Sequence, residues 1–336
     1  MDSLTHIALG ACMGEAFAGK TVGRKAMLWG AMAQSIPDID FVAAFWLGTT
    51  ENLLAHRGFT HSLLFCLLAT PVLAYFAERW HRPHNISFRR WLAFFGSVIF
   101  VHIFLDAFNN YGVGWFEPFS KSRISFHVIY VVDFFFSIWG FIALMALIVL
   151  KKRHRHRQNW WKFGLLFTGL YLGYSIVNKL KIDHDVRKLL AAKEIKYERY
   201  FTTPAPLQNW LWFVVAGSDT GYYTGYRSIF DDDPELKLNW FPRNDTLLHD
   251  IRNKEEIENL KRFSQGFYTV DKFSDTLVFN DLRFGQVIGW YDPRERFAFH
   301  YYLQFPDENT LVVQRGRFAK WNFEVAKSLV RKVAGL

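Results

Sequence analysis

The chain has 336 residues, a formal net charge of +9, 51% hydrophobic side chains and two cysteines. Both cysteines, Cys12 and Cys66, lie within apolar stretches, so a disulfide framework or a thiolate zinc site in the polar part of the chain is excluded. The N-terminal segment carries Asp2 and no Lys or Arg before its apolar stretch, which does not resemble a cleaved signal peptide.

Long apolar stretches are concentrated in the first half of the chain, whereas residues 181–336 alternate charged and aromatic side chains as a soluble domain does. The stretches lie near 26–47, 61–77, 91–109, 128–150 and 163–178. Each approaches the roughly 20 residues that cross a bilayer core. A shorter stretch at 3–19 is expected to cross obliquely or to lie in the interface. We therefore predict a polytopic α-helical membrane domain of five or six helices at 1–180, followed by a soluble domain at 181–336.

Basic residues are distributed unevenly between the loops that this prediction defines. The first, third and fifth loops hold Lys20, Arg24, Lys25, Arg79, Arg82, Arg89, Arg90, Lys151, Lys152, Arg153, Arg155, Arg157 and Lys162. The second and fourth loops hold only Arg57, Lys121 and Arg123. The positive-inside rule places the basic loops in the cytoplasm, and the N-terminus and residues 181–336 outside. The positive charge is then explained by anionic lipid, and no nucleic-acid partner is expected.

Histidine and aspartate recur near the outward ends of the predicted helices. The candidate metal ligands are His6, Asp38, Asp40, His56, His61, His102, Asp106 and Asp133. His102 and Asp106 are four residues apart, so a helix places them on one face. Pro37 is expected to break the helix beside Asp38 and Asp40, and Gly58 permits a tight loop between His56 and His61.

An ionisable side chain inside a bilayer is costly, and a bound cation would neutralise a cluster of them. Mixed His and carboxylate ligands suit Zn²⁺, Mn²⁺ or Fe²⁺ better than Ca²⁺, and the number of candidates allows one or two ions. Structural alternatives remain for single members. A lone His commonly bonds a neighbouring helix, the His102/Asp106 pair serves equally as a hydrogen bond, and Asp133 can pair with Arg123.

Substrate contacts are expected beside these ligands. Arg57 lies between two candidate ligands, and either Asp38 or Asp40 can act as a general base. The outward run NNYGVGWFEPFS, residues 109–120, is rich in Gly, Asn and aromatic residues and is typical of an interfacial loop.

The motifs MDSLTH, PDID, HRGFTHS and HIFLDAFNNYG, followed by the apolar segment with Asp133, resemble the bacterial inner-membrane metal-dependent hydrolases. This family is also described as YdjM-like, LexA-binding, inner-membrane-associated hydrolases. The resemblance covers about residues 1–150. It implies a helical hydrolase of the bacterial inner membrane, with its metal site built from the candidate ligands named above.

Residues 184–200, 252–263 and 320–333 show helical patterns. Between them lie aromatic or alternating runs typical of strands: WLWFVVAG, GYYTGYRSIF, GFYTVDKF, TLVFNDLRFG, FAFHYYLQF and TLVVQRGRF. We predict an α+β domain with a mainly antiparallel sheet, which covers the membrane site or selects its substrate.

The leading hypothesis is a membrane-bound metal-dependent hydrolase, which uses metal-activated water on a phosphoester or other ester of a lipid or lipid-linked substrate at the outer face. The alternative is a proton- or ion-coupled transporter that uses the same Asp and His residues as a relay. A non-catalytic scaffold whose outer domain binds a protein is a third possibility. The sequence identifies no protein partner.

Overall fold

The computed structural model describes residues 1–82, 86–304 and 320–335. It divides the chain into two compact units. Unit 1 comprises Met1–Phe45, Ala55–Phe126 and Val131–Tyr174. Unit 2 comprises Trp46–Leu54, His127–Tyr130 and Ser175–Leu336.

Unit 1 is helical. Its helices are α1 (Ser3–Val22), α2 (Arg24–Ser35), α4 (Leu63–Trp80), α5 (Phe88–Asp106), α6 (Phe134–Val149) and the first part of α7 (Arg157–Ala192). The short helix α3 (Thr49–Ala55) precedes α4 in the chain and belongs, except for Ala55, to unit 2. Two 3-10 helices also belong to unit 1: the first is Pro37–Phe45 and the second is Phe59–His61. They connect α2 to α4, and both carry site residues.

Helices α1 and α2 pack against each other more closely than side chains normally allow. A Cβ atom on Gly10 would lie 2.3 Å from the Gly30 carbonyl oxygen, and one on Gly30 would lie 1.9 Å from the Gly10 carbonyl oxygen. Gly23, with φ of 66°, forms the turn between the two helices. Small residues thus bring the two backbones together, as in membrane helix pairs.

The prediction of five or six membrane helices is wrong. Within the described residues, two helices are long and apolar enough to cross a bilayer: α4 with 18 residues and α5 with 19. Helix α6 is apolar but has only 16 residues. The apolar stretch at 26–47 is not one helix, because α2 ends after 12 residues and the first 3-10 helix begins at Pro37. The stretch at 163–178 is part of the 36-residue α7, which is not among the helices apolar enough to cross a bilayer.

Apolar side chains on α4 are exposed in the isolated chain. Leu67 is 72% exposed, and Leu68, Val72, Tyr75 and Phe76 are each more than half exposed. An apolar helix with so little protein cover is suited to contact with lipid. This surface is consistent with membrane association of unit 1.

Unit 2 contains two antiparallel sheets. The first has the order β1 (Arg199–Pro204), β2 (Leu211–Ser218), β3 (Gly221–Ser228) and β4 (Leu238–Pro242). The second has the order β5 (Tyr268–Phe273), β6 (Thr276–Gln286) and β7 (Phe297–Tyr302). Helices α8 (Lys254–Phe263) and α9 (Phe323–Val333) and a 3-10 helix (Asp245–Leu248) complete the unit.

Strand β2 is buried on both faces. Trp212 and Val214 pack against α7 residues such as Val186, whereas Phe213 packs in a second cluster with Leu282 of β6. Because both faces are covered, the strand lacks polar alternation and has a continuous apolar sequence.

The antiparallel strands of unit 2 occur where the aromatic runs predicted them, except that β1 and β4 were not predicted. The expected helix at 184–200 ends at Ala192, and β1 follows it. The expected strand TLVVQRGRF lies outside the described residues.

Candidate metal centre

Four side chains of unit 1 converge at one point. Asp38 comes from the first 3-10 helix, His61 from the second, and His102 and Asp106 from the last turns of α5. One nitrogen or carboxylate oxygen from each lies within 4.8 Å of the others. His61, His102 and Asp106 are fully buried, and the Asp38 side chain is 18% exposed.

The contacts of the Nδ1 atoms of His102 and His61 show which ring nitrogen faces the centre. Nδ1 of His102 donates to the Gln34 carbonyl oxygen at 2.5 Å, which leaves Nε2 with a free lone pair. Nδ1 of His61 is hydrogen-bonded with the Thr60 hydroxyl at 3.1 Å and lies 3.5 Å from Asp40 Oδ2, so its Nε2 also faces inward. The two Nε2 atoms are 3.1 Å apart. Two lone pairs this close repel each other unless a proton or a cation lies between them.

Asp106 contributes an oxygen without a hydrogen bond. Its Oδ2 is buried, has no hydrogen-bond partner among the described residues, and lies 3.4 Å from His61 Nε2. Arg57 Nε is 3.1 Å from this oxygen but does not have hydrogen-bond geometry. A buried acceptor without a donor is rare and calls for an explanation, which a bound cation would provide. The donor set of two imidazoles and two carboxylates therefore fits a divalent transition metal.

A second layer of polar groups orients these four side chains. Asp106 Oδ1 accepts from His6 Nε2 at 3.1 Å, and His6 Nδ1 accepts from the Gln34 amide at 3.4 Å. The His6 ring also stacks on His102, with ring centroids 3.8 Å apart. Ser3 Oγ donates to Asp38 Oδ2 at 3.1 Å. Such outer partners fix ligand orientation and are a regular part of protein metal sites.

Asp40 lies between His61 and His56. Its Oδ2 accepts from the Arg57 backbone N–H at 2.6 Å, and its Oδ1 is 3.3 Å from His56 Nδ1. Burial raises the pKa of the Asp40 carboxyl, but the hydrogen bond and charge of His56, the charge of His61 and the Arg57 backbone N–H together hold that pKa below its usual value. Asp40 thus stays ionised and can hold His61 in the orientation that directs Nε2 inward.

Arg57 is buried beside the centre in an unusual backbone conformation. Its φ is 59°, which is uncommon outside glycine, and its side chain is 2% exposed. The guanidinium donates to Asn109 Oδ1 at 2.6 Å and to the Met1 carbonyl at 3.1 Å, and lies 4.8 Å from the centre of the Tyr111 ring. Strained backbone of this kind occurs frequently at functional sites.

Asp133 lies elsewhere in unit 1. Its carboxylate caps the N-terminus of α6 by accepting from Phe136 N at 3.0 Å, and it accepts from the Tyr171 hydroxyl at 3.0 Å. Burial raises the pKa of Asp133 to about 6. These contacts indicate a structural role.

Three of the predicted ligands, His6, Asp40 and His56, contact the four converging side chains or one another without joining the group itself. Whether any of them binds an ion stays a prediction. The contacts of Ser3 and of the Gln34 carbonyl were not predicted from the sequence. No side-chain pattern signals a backbone acceptor.

A cavity of about 660 Å³ adjoins the centre. Asp38, Asp40, His56 and Arg57 form its polar side. Its apolar side is lined by Met1, Ile7, Met32, Ile36, Ile39, Phe41 and Val131. The cavity is therefore amphipathic, with charge concentrated next to the candidate metal ligands.

Comparison with known proteins identifies the family. Residues 1–182 match the model of the YdjM inner membrane protein family. The chain belongs to this family. The resemblance found in the sequence is thereby confirmed, and the matched residues include every side chain of the candidate metal centre and of the layer around it.

Two relatives share different parts of the chain. Inner membrane protein YbcI of Escherichia coli (strain K12) is 33% identical over 123 residues, which cover 36% of this chain and 69% of that protein. Uncharacterized protein YfhP of Bacillus subtilis (strain 168) is 28% identical over 305 residues, 84% of this chain and 87% of that protein. No solved structure matches the chain. The protein is thus an inner membrane family member with an Asp/His group able to bind a metal ion.

Proposed function

We propose that this protein is a metal-dependent hydrolase that cleaves a phosphoester or another ester bond of a lipid or lipid-linked substrate. The observation that supports this most is the arrangement of two inward Nε2 atoms and two carboxylates beside an amphipathic cavity. Zn²⁺ is the ion we favour, with Mn²⁺ or Fe²⁺ as alternatives, because all three accept mixed nitrogen and oxygen ligands.

Asp38, His61, His102 and Asp106 would hold the ion. The metal would supply Lewis acidity, which makes water acidic enough to act as a nucleophile near neutral pH. The geometry supports one ion bound by these four residues.

The His56–Asp40 pair is the best-placed proton acceptor. His56 lines the cavity with 37% of its side chain exposed, and Asp40 contacts its Nδ1. Partial burial and the charge of Arg57 hold the pKa of His56 below its usual value, so the imidazole is neutral at pH 7 and can take a proton. Of the two carboxylates predicted from the sequence as general base, Asp40 belongs to this pair, whereas Asp38 would be a metal ligand.

Arg57 would bind the anionic part of the substrate. A guanidinium has five N–H donors, and two of them bond to Asn109 and Met1, while Nε lies in an ion pair with Asp106. The remaining donors and the positive charge suit a phosphate oxygen next to the metal.

The cavity supports a substrate with an apolar chain. Ile39 and Phe41 line it and are 53% and 65% exposed. Exposed apolar side chains beside buried charges match a molecule whose headgroup reaches the ligands while its chain remains in lipid. A soluble polar ester would leave this apolar wall without a contact.

The placement of charge supports an orientation in the membrane. Arg79, Arg82, Arg89 and Arg90 surround the short connection between α4 and α5. The candidate ligands lie at the other ends of these helices, and α5 with 19 residues is about 28 Å long. For a pair of spans formed by α4 and α5, these arginines favour a cytoplasmic position of the connection and an outer position of the candidate ligands.

The transporter alternative has less support in unit 1. Transport would need ionisable groups that continue towards the cytoplasmic end. Glu15 lies further along α1. Arg157 donates hydrogen bonds to its two carboxylate oxygens, from Nε at 2.7 Å and from Nη2 at 2.9 Å. Both side chains are buried and their charges cancel, so this pair is better suited to stabilising the helices than to relaying ions.

Hydrolysis by metal-stripped and metal-reloaded protein tests the proposal. Full-length protein in detergent, treated with a chelator and then reloaded with Zn²⁺, Mn²⁺ or Fe²⁺, is assayed against phospholipids, lipid-linked phosphates and acyl esters. The proposal expects turnover only after reloading, and its loss in His56→Ala, which keeps all four ligands. Turnover by stripped protein, or no turnover on any substrate class with any of the three ions, would contradict it.

A further inference from the structure

Unit 2 contains a cavity of about 370 Å³ that is separate from the metal centre. It lies beside the end of β3 and the start of β4, and α9 contributes Lys332. Pockets that bind small molecules combine apolar or aromatic surface with a few placed polar groups. This cavity has a polar side and an aromatic side.

One side of the cavity is polar. Asp233, Glu235, Lys237 and Asn239 line it at alternate positions of the chain, whereas the intervening Leu236 is only 1% exposed. The segment is held by Arg227, which donates to the Asp233 carbonyl at 2.6 Å. Asp233 Oδ1 also accepts from the Glu235 backbone N–H at 2.7 Å. These two bonds fix the backbone at the start of the row, from which the side chains of the row extend at the cavity.

The other side is aromatic. Trp290 lines the cavity, and its indole N–H donates to Ser328 Oγ at 3.2 Å. Its ring packs against Trp321 with centroids 5.6 Å apart and against Tyr226 with centroids 6.2 Å apart. Since these contacts restrain the ring and satisfy its donor, Trp290 offers a rigid apolar surface to a ligand.

The charged side chains that line the cavity favour a neutral ligand. Three carboxylates, from Asp231, Asp233 and Glu235, face two ammonium groups, from Lys237 and Lys332. Asp231 already accepts from the Ser228 backbone N–H at 2.8 Å and lies 3.9 Å from the Lys332 ammonium. An anion would be repelled by the carboxylates. Mixed acceptors and donors instead match a ligand with several hydroxyl groups.

A pyranose sugar has this chemistry, because its ring presents C–H groups on its faces and hydroxyls around its rim. We propose that the cavity lined by Trp290 and the row from Asp233 to Asn239 binds a pyranose unit of a glycan. The C–H face packs on Trp290, and the hydroxyls bond to Asp233, Glu235 and Asn239. This site does not depend on the proposed hydrolase activity, since binding is measured without turnover.

Ligand-observed saturation-transfer NMR tests the site on the full chain, in a detergent that has no sugar headgroup. The probes are glucose, galactose, mannose and N-acetylglucosamine, each also as a β-linked disaccharide. We expect saturation transfer to at least one sugar, strongest at its ring C–H protons. Glu235→Gln, an exposed change that keeps the shape of the side chain, is expected to weaken the affinity at least fivefold, and Trp290→Ala to abolish transfer.

Trp240→Ala is the matched control, since Trp240 is an exposed tryptophan on β4 that does not line the cavity. It should leave binding unchanged. Thermal unfolding of each variant shows whether Trp290→Ala still folds. If it does not, the sugar affinity of Glu235→Gln tests the proposal. The proposal is refuted if no sugar of the panel receives transfer, or if binding in Glu235→Gln equals that of the wild type.

Discussion

His6 distinguishes between two descriptions of the metal centre. The sequence predicted it as a ligand, whereas in the structure it donates to Asp106 and stacks on His102. Removing an outer partner of a metal ligand typically weakens metal affinity 10- to 100-fold, which is about 1.4–2.7 kcal/mol. Removing a ligand costs far more. We therefore expect His6→Ala to bind Zn²⁺ 10- to 100-fold more weakly than the wild type, and His102→Ala to retain no specific site.

Competition with a chromophoric zinc chelator, on detergent-solubilised full-length protein, measures these affinities. Gln34→Ala is the matched control, because it removes the side chain that supports His6 and leaves the carbonyl that binds His102 Nδ1. Its affinity should fall less than that of His6→Ala. If His6→Ala loses the site as completely as His102→Ala, His6 is a ligand. If the affinity of His6→Ala changes less than twofold, the described network does not orient Asp106.

Three further substitutions, with Gly169→Ala as a control for one of them, probe separate parts of unit 1. Asp133→Asn should raise the melting temperature at pH 8 without changing metal content. The folded-state pKa of about 6, against 3.8 ordinarily, makes ionisation of Asp133 destabilising by about 3 kcal/mol above pH 6. Arg57→Lys should retain the metal but lower kcat/KM at least 100-fold, because a lysine cannot reproduce the guanidinium geometry. Gly30→Ala should destabilise the protein by at least about 2 kcal/mol, since its Cβ would lie 1.9 Å from a backbone oxygen of Gly10. Gly169→Ala, in α7 with open space around it, should be neutral or stabilising by up to about 1 kcal/mol.

Thermal unfolding from pH 4 to pH 8 checks the first of these substitutions. The wild type should gain stability relative to Asp133→Asn as the pH falls from about 6 towards 4, because protonation removes the buried charge. A constant difference across this range would refute the argument from burial. For Arg57→Lys, loss of metal together with activity would contradict a role in substrate binding. Equal stability of Gly30→Ala and Gly169→Ala would show that the α1–α2 contact is looser than described.

The sequence was most informative where chemistry depends on local spacing. His102 and Asp106 lie on one face of α5 because any helix places residues four apart together, so their convergence was predictable. The distinction between Asp38, which joins the four converging side chains, and Asp40, which supports His61, was not predictable. It depends on how the first 3-10 helix packs against the second, and spacing in the chain does not encode that contact.

The number of membrane spans was mispredicted because apolar content alone does not show where helices end. Pro37 interrupts the second apolar stretch, and α2 stops after 12 residues. In unit 2, β1 and β4 were missed because each is short and ends in a proline, Pro204 and Pro242, which weakens a strand pattern.

The metal content of the purified protein tests the central claim most directly. Elemental analysis is made on full-length protein purified without a polyhistidine tag, beside Asp106→Asn and beside His184→Ala, which changes an exposed histidine of unit 2. The account predicts one equivalent of a transition metal in the wild type and in His184→Ala, and none in Asp106→Asn. A folded wild type that takes up no metal after supplementation, or an Asp106→Asn variant that keeps its metal, would contradict it.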